Sequence, residues 1–236
     1  MEIKLKLISL NPQLRLAFKA ILFLGFLTLA RLGDFSLFPT LLFIIGAVVL
    51  YARPLFRTVE KLGDFLVLMF SALVFNLVFI DSLDFFFSAA CYSLLFFLLV
   101  GIKDLILINR SFWSVVLNFG LAYPIFLIFF QGHFAGVWWK APILFFLTLL
   151  LSKNVLKRSM ATAPFSLLVV EVAWASSFLP IGFIGLANLN LLFYAVTLSL
   201  FDFRERGLLD KKKILSLLSI FIVLSLIILG LSSWSF

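Results

Sequence analysis

Residues 85–102 read FFFSAACYSLLFFLLVGI, eighteen consecutive positions without a charged side chain. Only hydrocarbon or a large buried core accommodates such a run, and similar runs recur along the whole chain. They cover residues 16–30, 35–52, 65–80, 85–102, 112–130, 134–151, 164–179, 182–201 and 214–231, separated by charges or by Pro/Gly breaks. A chain of 236 residues cannot hide nine such segments from water. Its hydrophobic content is 64% and its charged content 13%, against about 45–50% and about 25% in soluble domains. Mean hydropathy is +1.22. Each run approaches the ~20 apolar residues that a membrane-crossing helix requires.

A membrane β-barrel is excluded by pattern, because barrel strands alternate apolar and polar positions and these runs are continuously apolar. A helix also satisfies its backbone polar groups within the segment, as hydrocarbon demands. The expected fold is therefore all-α: a polytopic transmembrane bundle of about nine helices, forming one integral membrane domain over residues 1–236 with no soluble domain. The stretch 164–201 is too long for a single helix. Pro180 and Gly182 mark the turn between two.

The basic residues give the expected orientation. With the amino terminus inside, Lys4, Lys6 and Arg15, then Arg53, Arg57 and Lys61, Lys103 and Arg110, Lys153, Lys157 and Arg158, and finally Arg204, Arg206 and Lys211 to Lys213 all fall on inner segments. Of the 19 Lys and Arg, only Arg31 lies in an outer loop, while Lys19 and Lys140 lie inside runs. This positive-inside sorting predicts a cytoplasmic amino terminus and an outer carboxyl terminus in a plasma-type membrane. It also accounts for the net charge of +8 without nucleic acid as a partner. The amino-terminal run is read as an uncleaved first helix, since Lys19 interrupts a signal-like core and eight further runs follow. The inner cluster Arg204, Arg206, Lys211, Lys212 and Lys213 is the candidate contact for anionic lipid headgroups.

Residues 31–35 read RLGDF and residues 61–65 read KLGDF. An inverted internal repeat would place such a pair on opposite faces; a chance match is the simpler reading in a chain this rich in Leu and Phe. At each site Gly interrupts the helix, and Asp34 or Asp64 is expected beside Arg31 or Lys61.

Ionisable groups inside a membrane segment are the best pointers to function. Glu171 lies near the middle of run 164–179, and Lys140 lies six residues inside run 134–151. Their depths from the outer face are compatible with an interhelical ion pair. The competing reading sends Lys140 outward to the interface, where Trp138 and Trp139 mark the aromatic belt. Lys19 is expected to snorkel. Trp174, three residues after Glu171, and Asn188 on the next helix complete the candidate binding or coupling group. Asn76, Asn118 and Asn190 are read as interhelical packing bonds.

No catalytic motif emerges. His133 and Cys91 are single, which excludes ordinary zinc sites, and neither a nucleophile elbow nor a phosphate loop is present. Asp81 and Asp84 form one carboxylate pair without a second for a magnesium–diphosphate site. No cofactor is expected. Three functional classes remain: a membrane-embedded subunit or scaffold of an assembly, a small-solute or lipid transporter using Glu171, and a lipid-modifying enzyme at the basic face. The first is favoured because it needs no catalytic chemistry, and the bilayer and other membrane proteins are the partners it implies.

Overall fold

The computed structural model describes residues 12–53, 61–79, 85–131, 137–156 and 159–234. Among these residues there are nine α-helices and no strand: α1 (Pro12–Leu32), α2 (Leu37–Ala52), α3 (Leu62–Val78), α4 (Phe85–Lys103), α5 (Arg110–Phe130), α6 (Val137–Lys153), α7 (Ser159–Ser176), α8 (Phe183–Glu205) and α9 (Lys211–Leu231). Each coincides with one of the nine apolar runs, with ends shifted by no more than about five residues, the usual uncertainty of helix boundaries read from sequence. Helices α1, α4, α5, α8 and α9 are long and apolar enough to cross a membrane, and α2, α3 and the part of α7 from Met160 are shorter apolar helices. Lys4, Lys6, Arg57, Asp81, Asp84, His133, Lys157 and Arg158 lie outside the described residues.

Three helix ends are closed by the same device. After α1, the Phe35 N–H donates to the Ala30 carbonyl and the Asp34 N–H to Arg31. After α4, Ile106 donates to Gly101 and Leu105 to Ile102; after α8, Leu208 donates to Phe203 and Gly207 to Arg204. This paired 6→1 and 5→2 pattern is the Schellman cap, which satisfies terminal carbonyls by turning one residue left-handed. That residue is Asp34 (φ 50), Leu105 (φ 59) or Gly207 (φ +67), and at the first corner Phe35 (φ 50) follows it into the same region. Only glycine adopts the conformation without steric cost, so the first and second corners are held by their surroundings. The expected break at Pro180 and Gly182 is present: α7 ends at Ser176, and Gly182 is the N-cap of α8.

The chain divides into two compact units, Met1–Asn118 and Phe119–Phe236. In the first, α1 packs on α2 and α4, and α3 on α4. The buried face of α1 runs Leu16, Lys19, Ala20, Phe23, Leu27, Ala30, the i, i+3/i+4 spacing of one helix face. Phe23 stacks on Phe96 of α4 at 4.4 Å and meets Phe43 of α2 edge-on at 5.3 Å. Gly46 allows α2 to approach α1: a Cβ there would lie 2.8 Å from the Phe26 ring. Polar side chains add cross-links, with Ser88 Oγ donating to Asn76 Oδ1 (2.6 Å) and Ser93 Oγ to the Ala20 carbonyl (2.7 Å). Asn76 thus joins α3 to α4, as expected of an interhelical amide.

In the second unit, α7 packs between α6 and α8, and α9 lies along α8. Its centre is the fully buried Tyr194, ringed by Phe119, Phe126 and Phe165 at 5.3–6.3 Å. Asn190 Nδ2 donates to Ser176 Oγ at 2.7 Å, joining α8 to α7. Helix α9 buries no residue. Beyond it, the Gly182 N–H donates to the Ser233 carbonyl at 3.0 Å, beside an isolated bridge between Ile181 and Trp234.

The two LGDF segments have unlike structures. Residues 31–35 form the left-handed cap after α1, whereas 61–65 enter α3, with Asp64 in its first turn 3.4 Å from Lys61. The Lys61–Asp64 pairing agrees with expectation, but nothing in the local fold relates the two pentapeptides as a repeat.

Replacing Gly46 with Leu is expected to lower stability by about 1–3 kcal/mol, as overpacking does, through collision with Phe26. Thermal unfolding in detergent measures this, and Gly25→Leu, where the space beside the glycine is open, serves as the control.

Candidate functional site

Glu171 occupies an exposed position on α7. It is the thirteenth of eighteen residues in that helix, so it sits five residues, about 7.5 Å, from the helix end at Ser176. This is shallower than the middle position expected from the run 164–179, because α7 begins five residues earlier and ends three earlier than the run. Glu171 makes no hydrogen bond or ion pair with any described residue.

Lys140 is three residues inside α6, about 4.5 Å from its start. Its Nζ donates to the Phe129 carbonyl at 3.1 Å, near the end of α5. The Lys140–Glu171 ion pair expected from the matched depths is therefore not formed. The physical reason is competition: the last carbonyls of α5 lack intrahelical donors and form the negative end of the helix dipole, and Lys140 lies level with them. Trp139, beside it, is 70% exposed. The Trp138 side chain lies outside what is described.

Trp174 shares the exposed side of α7 with Glu171 and packs edge-on against Phe178 at 5.3 Å. Asn188 is half-buried, whereas Asn190, two residues further on, is buried and makes the bond to α7. The four candidates do not converge on one pocket. Glu171 and Trp174 share a face, Lys140 caps a neighbouring helix, and Asn188 stands apart.

The basic corner between α8 and α9 holds together better. Arg204, Arg206, Lys211, Lys212 and Lys213 are all exposed around the Gly207 cap. Arg206 pairs with Asp202 (2.8 Å), and Lys213 donates to the Leu208 carbonyl (3.0 Å) with its ammonium 5.1 Å from the Phe203 ring. Arg204, Lys211 and Lys212 carry no ion pair among the described residues. With the exposed Leu208 and Leu209 beside them, these cations make an amphipathic rim.

A buried charge cluster in the first unit was not singled out from sequence. Asp104, the fully buried C-cap residue of α4, lies 3.6 Å from Lys19 Nζ through one carboxylate oxygen and 3.8 Å from Lys103 Nζ through the other. Both ammonium groups also serve the end of α2. Lys19 donates to the Arg53 carbonyl at 2.6 Å, and Lys103 donates to the Tyr51 carbonyl while lying 4.2 Å from the Tyr51 ring centre. One carboxylate and two lysines thus clamp α1, α2 and α4 together. Lys19 does not snorkel as expected, because it is in phase with Leu16, Phe23 and Leu27 on the inward face of α1. The KD dipeptide 103–104 at the end of a hydrophobic run was the available signal, together with Lys19 as the odd charge in another.

Removing one partner of a buried charge cluster costs about 3–5 kcal/mol because it strands the others. Asp104→Ala is expected to fall in that range, leaving two ammonium groups without their shared carboxylate. Lys19→Met is expected to cost less, since Lys103 still faces Asp104. Chemical denaturation in mild detergent distinguishes the two, and equal losses would contradict the shared-carboxylate arrangement.

Comparison of the chain with family models, with curated proteins and with solved structures finds no match in any of the three.

Proposed function

We propose that the chain is a multi-pass integral membrane protein, a single membrane domain of nine spans, that works as a membrane-embedded subunit of a larger assembly. The observation that supports the subunit reading best is Glu171, a carboxylate without a partner among the described residues, on the exposed face of an apolar helix. An ionised group facing lipid tails is costly, and it is retained where a partner outside the chain satisfies it. A transporter using Glu171 would need the carboxylate to line a path through the protein interior, and its exposed position on α7 favours that reading less.

In the orientation that follows from the basic residues, the amino terminus is cytoplasmic and the α8–α9 corner lies at the inner leaflet. There Arg204, Lys211 and Lys212 face anionic headgroups, each contributing roughly 1 kcal/mol near such a surface. Helix α9 below them, which buries no residue, stands in the acyl chains.

Two measurements test these statements. Reporter fusions after residues 109, 156 and 208 are expected to report the cytoplasmic side, and fusions after 36, 181 and 234 the outer side. The same side at 156 and 181, at 181 and 208, or at 208 and 234 would remove the span of α7, α8 or α9, and the same side at 36 and 109 would remove one of the three spans between them. For the subunit reading, a photo-crosslinking amino acid at Leu167, four residues from Glu171 on the exposed face, is expected to give one protein adduct of defined mass in native membranes. Glu171→Ala should reduce its yield about tenfold or more. Adducts to lipid alone would end the subunit reading.

A further inference from the structure

The exposed face of α7 has a chemistry that restricts what can cover it. Met160, Ala163, Leu167, Glu171 and Trp174 are all exposed, and they follow one another in steps of three or four residues, the repeat of a single helix face; the exposed Phe178 lies in the turn just past the end of α7. From Met160 to Trp174 the stripe is about 21 Å long at 1.5 Å per residue, most of the ~30 Å of a bilayer's hydrocarbon. The opposite face, Phe165, Ser166, Val169, Ala173 and Ser176, is buried in the second unit. The stripe is apolar except at Glu171.

We infer that this stripe docks a transmembrane helix of another protein carrying a lysine or arginine level with Glu171. The inference rests on the subunit reading and adds the chemistry of the partner. Three observations narrow the occupant. Lipid tails offer neither a positive charge nor a hydrogen-bond donor, and the short Glu171 side chain lies five residues, about 7.5 Å, inside the end of α7. Lys140, the cation of this unit nearest in expected depth, is already engaged at the Phe129 carbonyl. A second copy of the chain related by a two-fold axis would bring a second Glu171 to the same depth, a like-charge contact that low dielectric makes costly. What remains is a cation held at that depth by a segment whose own backbone is satisfied, which in hydrocarbon means a helix. Ala163 and Ala175 on this side leave room for close approach, as small residues do between membrane helices.

The test uses the full chain in lipid vesicles and designed apolar helices of 21 Leu and Ala residues, with association read by energy transfer. One helix carries a single Lys six residues from its end, a second carries Leu there, and a third carries Glu. The Lys helix is expected to associate with the wild-type chain about tenfold more tightly than the Leu helix. Glu171→Gln should abolish that difference without lowering thermal stability, since Glu171 has no partner to lose among the described residues, and Glu171→Lys should transfer the preference to the Glu helix. Equal association of the Lys and Leu helices with the wild type overturns the inference, as does a preference that survives Glu171→Gln. Self-association of the wild-type chain that depends on Glu171 also overturns it, assigning the face to a second copy. If the photo-adduct at Leu167 is a protein while the Lys helix shows no advantage, the basic partner is refuted and the subunit reading stands. If only lipid adducts form, the subunit reading fails whatever the designed helices do.

Discussion

A backbone whose side chains are almost uniformly apolar must find its hydrogen bonds within itself, and this chain is organised around that need. Helices answer it along their length, but each leaves terminal carbonyls without donors. The structure spends its few polar resources at those ends. Schellman caps close α1, α4 and α8, two lysines take the last carbonyls of α2, and Lys140 takes one from the end of α5. Even Asp104, the most deeply buried charge described, is a cap residue first and an ion-pair partner second. The charges inside the apolar runs act mainly as helix-end chemistry brought inward.

The two units differ in how completely they follow this economy. In Met1–Asn118, the buried groups answer one another: Lys19 and Lys103 share Asp104, Lys61 meets Asp64 and Ser114, and Asn76 meets Ser88. In Phe119–Phe236, Asn190 Nδ2 meets Ser176 and aromatic rings surround Tyr194, but the buried Asn190 Oδ1 has no hydrogen-bond partner among the described residues and Glu171 is left on the outside. Asp64 and Asp104 pair with lysines near helix ends, whereas Glu171 has no partner among the described residues and stands on an open apolar face.

How much of this was legible in the sequence depends on which property is asked for. Helix positions were, because charges and the Pro180–Gly182 break interrupt otherwise apolar text, and all nine runs coincide with helices. Helix faces were not. A segment such as 85–102 is apolar all round, so no periodicity says which side packs on protein. That is why Lys19 read as a snorkelling residue although its phase points inward, and why Asn188 was singled out over Asn190. The depth of Glu171 shifted for a related reason: α7 starts at Ser159, before the hydrophobic signal begins, which moves the carboxylate toward the far end. The Lys140–Glu171 pairing failed because matching depth says nothing about azimuth or about rival acceptors such as the Phe129 carbonyl.

Helix α9 touches the rest of its unit in an uncommon way. It has no buried residue, yet it is fastened above by Lys213 on Leu208 and Phe203, and below by Ser233 on Gly182. Such a rod is moored at its two tips and seated between them on a shallow stripe of half-buried Ile214, Leu217, Phe221, Ser225 and Ile228, with Phe221 against Phe193 midway. Its resistance to being peeled away is divided between those moorings and that shallow seam. Untying the lower knot would leave the seam alone to keep the lower half of the rod over the flank of α8 that it shelters.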